Sequence, residues 1–181
     1  MSDGREDEKD PVDTRTQWQA DRTTFQRVYD VTSGLSVYTP VSDIAEQAAC
    51  STDGARDALT QLVEMGVVET RGSRPVEYRR NEEYFRWKRI ETLASEHTPD
   101  ELRTKIDSLA AEDARFQEQF EASDPDGIPP TLIETQSHEA VHETLESLSR
   151  WRTIRDDLRV LQRAAYRAAQ RRDDADSGVS V

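Results

Sequence analysis

The sequence predicts a mainly α-helical chain with one small β-hairpin, in which a compact N-terminal region precedes a long antiparallel helical pair. Three observations predict it. Apolar residues recur at helical spacing through most of the 181 residues. One stretch, "VVETRGSRPVEYRR", alternates instead, around a turn holding Gly72 and Pro75. Beyond residue 81 the helical pattern resumes in long stripes, broken mainly by the loop "SDPDGIPPT".

Residues 1–16 hold six acids, three bases and almost no large apolar group, so they read as a disordered arm. Trp18 can pack on the first helix. From Asp21, "DRTTFQRVYDVTSGL" places Phe25, Val28, Val31 or Thr32, and Leu35 on one face, with Asp21 or Thr23 as cap and Gly34 at the end. "SVYTP" is extended, because Pro40 turns Thr39 away from the helical region. Ser42 is the expected cap of a short helix with Ile44, Ala45 and Ala48 inward. "CST" makes a turn, and Ser51 or Thr52 caps a helix over roughly 52–65. Ala55, Ala58, Leu59, Leu62 and Val63 face inward there, and Gly66 suits a left-handed helix end. The hairpin follows, with Val67, Val76 and Tyr78 toward the covered face.

Tyr84, Phe85, Trp87, Ile90 and Leu93 then predict an aromatic-rich helix to about Glu96. Thr98-Pro99-Asp100-Glu101 is a strong helix start: a threonine cap, proline first, then two acids. That helix runs to about Ala122 on Leu102, Ile106, Leu109, Phe116 and Phe120, with Asp113 interrupting the stripe. The last helix is expected from about Ser137 to Arg172, on Val141, Leu145, Leu148, Trp151, Ile154, Leu158, Leu161, Ala165 and Ala168. The expected regions are thus an arm over 1–16, a compact domain over 17–81, a helical region over 82–172 and a disordered tail over 173–181.

Charge narrows the function. Asp and Glu number 37 against 24 Lys and Arg, a net charge of -13. Only Lys9, Lys88 and Lys105 are lysines. Such an acidic, lysine-poor chain suits molar salt, where carboxylates hold hydration and repulsion is screened. A halophilic archaeon is therefore the expected source. Residues 17–81 carry nine acids and seven bases, the most nearly neutral region. No signal peptide or run of about eighteen apolar residues is visible, so a cytoplasmic location away from membranes is expected. The single Cys50 excludes an internal disulfide framework and a multi-cysteine zinc site.

Helix, helix, turn, helix and a two-stranded wing is the order of a winged helix-turn-helix. Its last helix enters a major groove. The helix over 52–65 offers Thr52, Asp53, Gly54, Arg56, Asp57, Thr60 and Gln61 outward. Arg56 suits a bidentate guanine contact, Thr60 and Gln61 suit base or backbone, and the N-terminus at Ser51 and Thr52 can hold a phosphate. Gly54 suits either a close phosphate or the helix's opening turn. Arg71 and Arg74 on the wing suit phosphates or a minor groove, while Arg79 and Arg80 read rather as solvated charges balanced by Glu69 and Glu77. Asp53 and Asp57 oppose DNA unless they accept from cytosine or pair with arginine.

The segments "DIAEQAACSTDGARDALTQLVEMGVVE" and "RPVEYRRNEEYFRWKRIETL" carry a resemblance. In them the chain resembles haloarchaeal winged helix-turn-helix regulators, relatives of the arsenic-repressor type, over about residues 17–172. The resemblance implies a DNA-binding, transcription-regulating role. The expected partners are double-stranded DNA and a second copy of the chain. Leu145, Leu148, Trp151, Ile154, Leu158 and Leu161 are the candidate dimer seam, although the same stripe can fold back on Leu102, Ile106, Leu109 and Phe116 within one chain.

Other chemistry reads weakly. His138 and His142 share a helix face with metal-ligand spacing but lack a third strong ligand, so they read as surface residues and no metal is expected. Cys50 reads as a packed residue rather than a redox sensor. Tyr84, Phe85 and Trp87 read as packing rather than an effector pocket, so no effector is identifiable. No catalytic motif is visible, hence no enzyme and no cofactor. The rival expectation is a winged-helix protein-interaction module that does not read DNA.

Overall fold

Thr23 opens the first element. Its hydroxyl accepts from Gln26 N at 3.2 Å and Gln26 Oε1 accepts from Thr23 N at 2.9 Å, a reciprocal cap for α1 (Thr24–Ser33). The computed structural model describes residues 16–18, 20–129 and 137–177. It divides into two units, Met1–Phe85 and Arg86–Val181. No helix of the described residues is long and apolar enough to cross a membrane.

In the first unit α1 leads to β1 (Thr39–Pro40), α2 (Val41–Gln47), α3 (Thr52–Glu64), β2 (Val68–Arg71) and β3 (Glu77–Arg80). Val28, Ile44, Leu59, Leu62 and Val67 are fully buried and form the centre of its core. Gly66 ends α3 at φ +72°, the left-handed geometry that glycine adopts without a Cβ clash. The sheet has the order β1-β3-β2 and is antiparallel throughout.

Three details differ from expectation. The hairpin gains a third strand, because Thr39 and Pro40 pair with Tyr78 and Glu77. Two residues are too few to show alternation. Pro40, not Ser42, precedes α2, and no side chain caps it. The proline ring already fixes the φ this position needs, and the Ser42 hydroxyl turns to Asp43 Oδ1 at 2.8 Å. Finally, the first unit ends at Phe85 rather than residue 81. Tyr84 and Phe85 stand at the start of α4 (Glu82–Glu96) and pack edge to face, centroids 5.4 Å apart, against the first core.

The second unit holds the rest of α4, then α5 (Pro99–Phe120), a 3-10 turn (Pro125–Gly127) and α6 (His138–Ser177). Thr98 and Glu101 form another reciprocal cap, with Thr98 N donating to Glu101 Oε2 at 2.8 Å. The Thr98 backbone N–H, and then its hydroxyl, hold Glu101 below the usual carboxylate range. The support that Glu101 gives this helix start is therefore present above the ordinary carboxylate pKa and lost as pH falls through the depressed one.

Trp151 organises this unit. It is fully buried. Its ring lies nearly parallel to Phe116 and Phe120 at 6.0 and 5.8 Å. Its Nε1 donates to Asp113 Oδ1 at 2.6 Å. The acid that interrupted the apolar stripe is thus the acceptor that a buried indole N–H needs. Leu102 and Leu161 share one core cluster, while Phe116 meets Trp151, so α5 and α6 run antiparallel.

The expected dimer seam is corrected here. Leu148, Trp151, Ile154 and Leu161 are buried at 3, 0, 5 and 8% exposure. Leu158 is half-buried, and only Leu145 stands out at 47%. The stripe is used inside one chain, because α5 offers it an apolar face directly. The tail is corrected too. Helix α6 continues five residues past Arg172 to Ser177, since 173–177 contain no glycine or proline. Of the arm expected to be disordered over 1–16, Thr16 is helical and 1–15 lie outside the described residues, as do 178–181 of the expected tail.

Replacing Trp151 with alanine should destabilise the fold by about 3–5 kcal/mol. Leu145→Ala should change it by less than about 0.5 kcal/mol. Urea unfolding of both variants measures the contrast, and equal losses would place the seam elsewhere.

Candidate nucleic-acid interface

Helix α3 is amphipathic by burial as well as by sequence. Ala55, Ala58, Leu59 and Leu62 are buried, while Thr52, Asp53, Arg56, Asp57, Thr60, Gln61 and Glu64 are exposed. Ser51 caps it by accepting from Gly54 N at 3.1 Å. A Cβ at Gly54 would lie 3.1 Å from Ser51 Oγ and 3.4 Å from Thr24 Cγ2. The glycine therefore serves the opening turn, where the cap and α1 crowd the backbone. Its N–H is already used by Ser51.

The polar side chains of the outer face are held locally. Arg56 Nη1 lies 2.7 Å from Asp53 Oδ1, and both groups are well exposed, at 54 and 90%. An exposed pair at this spacing is worth only about 0.3–0.5 kcal/mol, so Arg56 can exchange Asp53 for another acceptor. The Thr60 hydroxyl donates to Arg56 O at 2.9 Å, and Gln61 Nε2 donates to Asp57 O at 3.4 Å. Asp57 and Glu64 have no ion-pair partner among the described residues.

The sheet repeats this pattern of self-neutralisation. Register sets Arg71 opposite Glu77 and Glu69 opposite Arg79. Directly opposed charges on one face attract. Arg71 donates to Glu77 Oε2 at 3.1 and 2.6 Å, and Arg79 reaches Glu69 at 2.7 Å. Both guanidiniums stand over the Tyr38 ring, 4.3 and 4.5 Å from its centre. Arg80 forms a fork with Glu82 at 2.6 and 2.9 Å and also reaches Ser33 O. The hydrogen bonds to Glu69 and Glu82 hold Arg79 and Arg80 above the ordinary arginine pKa.

The predicted residues therefore separate. Arg56, Thr60 and Gln61 share one exposed face with Thr52. Arg71, expected to suit a phosphate or a minor groove, pairs with Glu77 and stands over Tyr38. Arg74, at the exposed turn between β2 and β3, has no ion-pair partner among the described residues. Gly72 forms that turn at φ +76°, where a Cβ would meet Pro75 O at 2.9 Å.

Two residues were missed. Tyr38 sits in the short extended segment, and its role becomes visible only once β1 is paired with β3. Arg27 closes the α2 end. Its Nε donates to Ala48 O at 2.9 Å and its Nη2 to Ala49 O at 3.4 Å, where Ala49 adopts φ +49°.

Among the described residues, no group of three or more His, Cys, Asp and Glu side chains is placed to hold a metal ion. The side chain of His138 lies outside those residues. Cys50 is half-buried beside Arg27. Burial pushes its thiol up, and the Arg27 charge only partly opposes this. Its nucleophilic thiolate form is thus depleted at neutral pH. Cys50 should react with a disulfide reagent more slowly in the native chain than in the urea-unfolded chain, followed by absorbance at neutral pH. A faster native reaction would return Cys50 to the list of sensors.

A comparison with curated proteins gave no match. A family model does match, over residues 22–167, which spans both units from α1 into α6. The chain belongs to the family of unknown function DUF7342.

Proposed function

We propose that this chain is a winged helix-turn-helix protein that binds double-stranded DNA and regulates transcription in a high-salt cytoplasm. The observation that carries this is the bare outer face of α3, exposed from Thr52 to Glu64, in a unit whose β2–β3 turn offers the exposed Arg74. In this reading α3 enters the major groove, Arg56 leaves Asp53 for a guanine edge, and Thr60 and Gln61 contact base or backbone. Arg74 follows a phosphate. Ser51 and Thr52 mark the helix end nearest the backbone.

Two reading helices on one operator call for a homodimer. Its contact must use surfaces other than the buried stripe of α6. The haloarchaeal regulators that the sequence resembles supply the setting, and the acidic composition agrees with it.

A second reading is favoured by one observation. Arg56, Arg71, Arg79 and Arg80 are each met by a carboxylate of their own chain. Such a surface also suits a protein-interaction module that makes no base contacts.

The double substitution Arg56→Glu with Arg74→Glu separates the readings. Each lost contact should cost about 1–3 kcal/mol, so operator affinity should fall at least about thirtyfold in the pair. Partner capture by a protein module should survive. The salt dependence is a second measure. Affinity across a KCl series should show a shallow slope, because few phosphate contacts are made. A steep slope, or unchanged binding in the double variant, would sink the assignment of α3 and Arg74.

A further inference from the structure

We propose that the second unit carries its own binding site for the phosphodiester backbone of a nucleic acid, built on Arg159, Arg163 and Arg167 of α6. The inference uses that unit alone and stands whether or not α3 reads DNA.

The sequence conceals this site, because residues 82–181 are the most acidic part of the chain. Within them, however, 150–172 hold eight arginines against only Asp156 and Asp157. Arg159, Arg163 and Arg167 are spaced by four. On a helix such residues stack along one side, about 6 Å apart and turning by about 40° per step. The three arginines line a cleft of about 500 Å³ together with Gln162, Gln170 and Tyr166, and Ile90 from α4.

The charge of this cleft is only partly cancelled. Arg159 pairs with Asp156 at 2.6 Å and both are exposed. Arg167 pairs with Glu91 at 2.9 Å, and Arg171 shares the same carboxylate. Arg163, in the middle of the row, is exposed and has no ion-pair partner among the described residues. An anion entering the cleft thus meets one unpaired guanidinium flanked by two that can exchange.

The lining also says which anion. Another carboxylate would offer these arginines little that Glu91 and Asp156 do not already supply. A phosphate offers a guanidinium the same two-oxygen fork that a carboxylate does, so the difference lies in what accompanies it. A nucleic acid adds flat bases, and the cleft has an aromatic surface ready for them. Tyr166 is 68% exposed, with its hydroxyl held by Gln170 Nε2 at 3.0 Å. Basic grooves with stackable rings are the usual means of holding a strand without reading it.

The test measures fluorescence anisotropy of the full chain with a labelled single strand and a labelled duplex of unrelated sequence, across a KCl series. Arg163→Glu should weaken binding at least about tenfold and flatten the salt slope by about one, with Arg163→Lys recovering part of the loss. Arg163→Gln, which only removes charge, should fall between them. Circular dichroism should show unchanged helix content in all three. Tyr166→Ala should weaken the single strand by about fivefold or more. A loss on the single strand alone assigns the cleft to unpaired strands, and an Arg163 loss on the duplex assigns it to the duplex backbone. Arg56→Glu reports separately on α3: a loss there with Arg163→Glu binding as wild type removes this inference, and a loss with Arg163→Glu alone supports it and leaves the operator reading of α3 to its own test. Wild-type chain that binds neither probe overturns the inference. So does a polyglutamate peptide that displaces the strand as well as an unlabelled oligonucleotide of equal charge, since the occupant would then be an acidic protein segment.

Discussion

Carboxylates outnumber basic side chains by 37 to 24, and that excess constrains every surface of the molecule. Each guanidinium the chain displays has carboxylates of its own chain competing for it. The result is visible on the sheet, where Arg71, Arg79 and Arg80 are all paired, and on α3, where Arg56 is paired within its own helix. These exposed pairs add little stability. Among the described residues, a guanidinium without an acid partner is therefore an informative position. Arg74 and Arg163 are two of them, one in each unit.

Burial in the second unit obeys a different constraint. Trp151 cannot be hidden between α5 and α6 unless its indole N–H is satisfied, because an unpaired buried donor is costly. Asp113 satisfies it, and Arg155 stands beside that carboxylate at 3.9 Å. Arg155 also holds Asp124 at 3.2 Å, next to the 3-10 turn. One polar chain thus ties the aromatic stack to the loop that follows α5. This local satisfaction explains why the apolar stripe of α6 is spent within the chain.

Much of the fold could be read from the residues, and the failures have physical causes. Thr23, Ser51 and Thr98 announced their helices through cap chemistry, which is local and therefore visible in sequence. Gly66 announced the end of α3 for the same reason. The third strand was not visible, since Thr39 and Pro40 owe their pairing to β3 rather than to their own pattern. The role of Asp113 was hidden because its partner lies 38 residues away. The choice between an intrachain and an interchain seam was open, because a helical stripe states that it will be buried and not by what. At the candidate interface the exposed face of α3 was readable from periodicity. The capture of Arg71 by Glu77 and Tyr38 needed the strand register, which depends on where the turn closes. The cleft on α6 was obscured by averaging: a regional charge of one sign concealed a row of the opposite sign at a spacing of four.

The internal ion pairs also bear on how an acidic chain can select a polyanion. A guanidinium already held by a carboxylate is released only to an acceptor that does better. A phosphate gains little from long-range attraction in concentrated salt, which is screened within about 3 Å at molar strength, so it competes for a held guanidinium only through direct contact. A guanine edge does better, because it accepts two hydrogen bonds in the plane of the fork. In the proposed reading the carboxylate left behind, Asp53 in the case of Arg56, would take up a cation of its own. Net ion release is smaller than for a bare basic patch, and so is the salt dependence that release creates. The acids on the exposed face of α3 need not argue against DNA. In the proposed reading they would raise the threshold for weak, unspecific contacts and leave geometry to decide which contacts form.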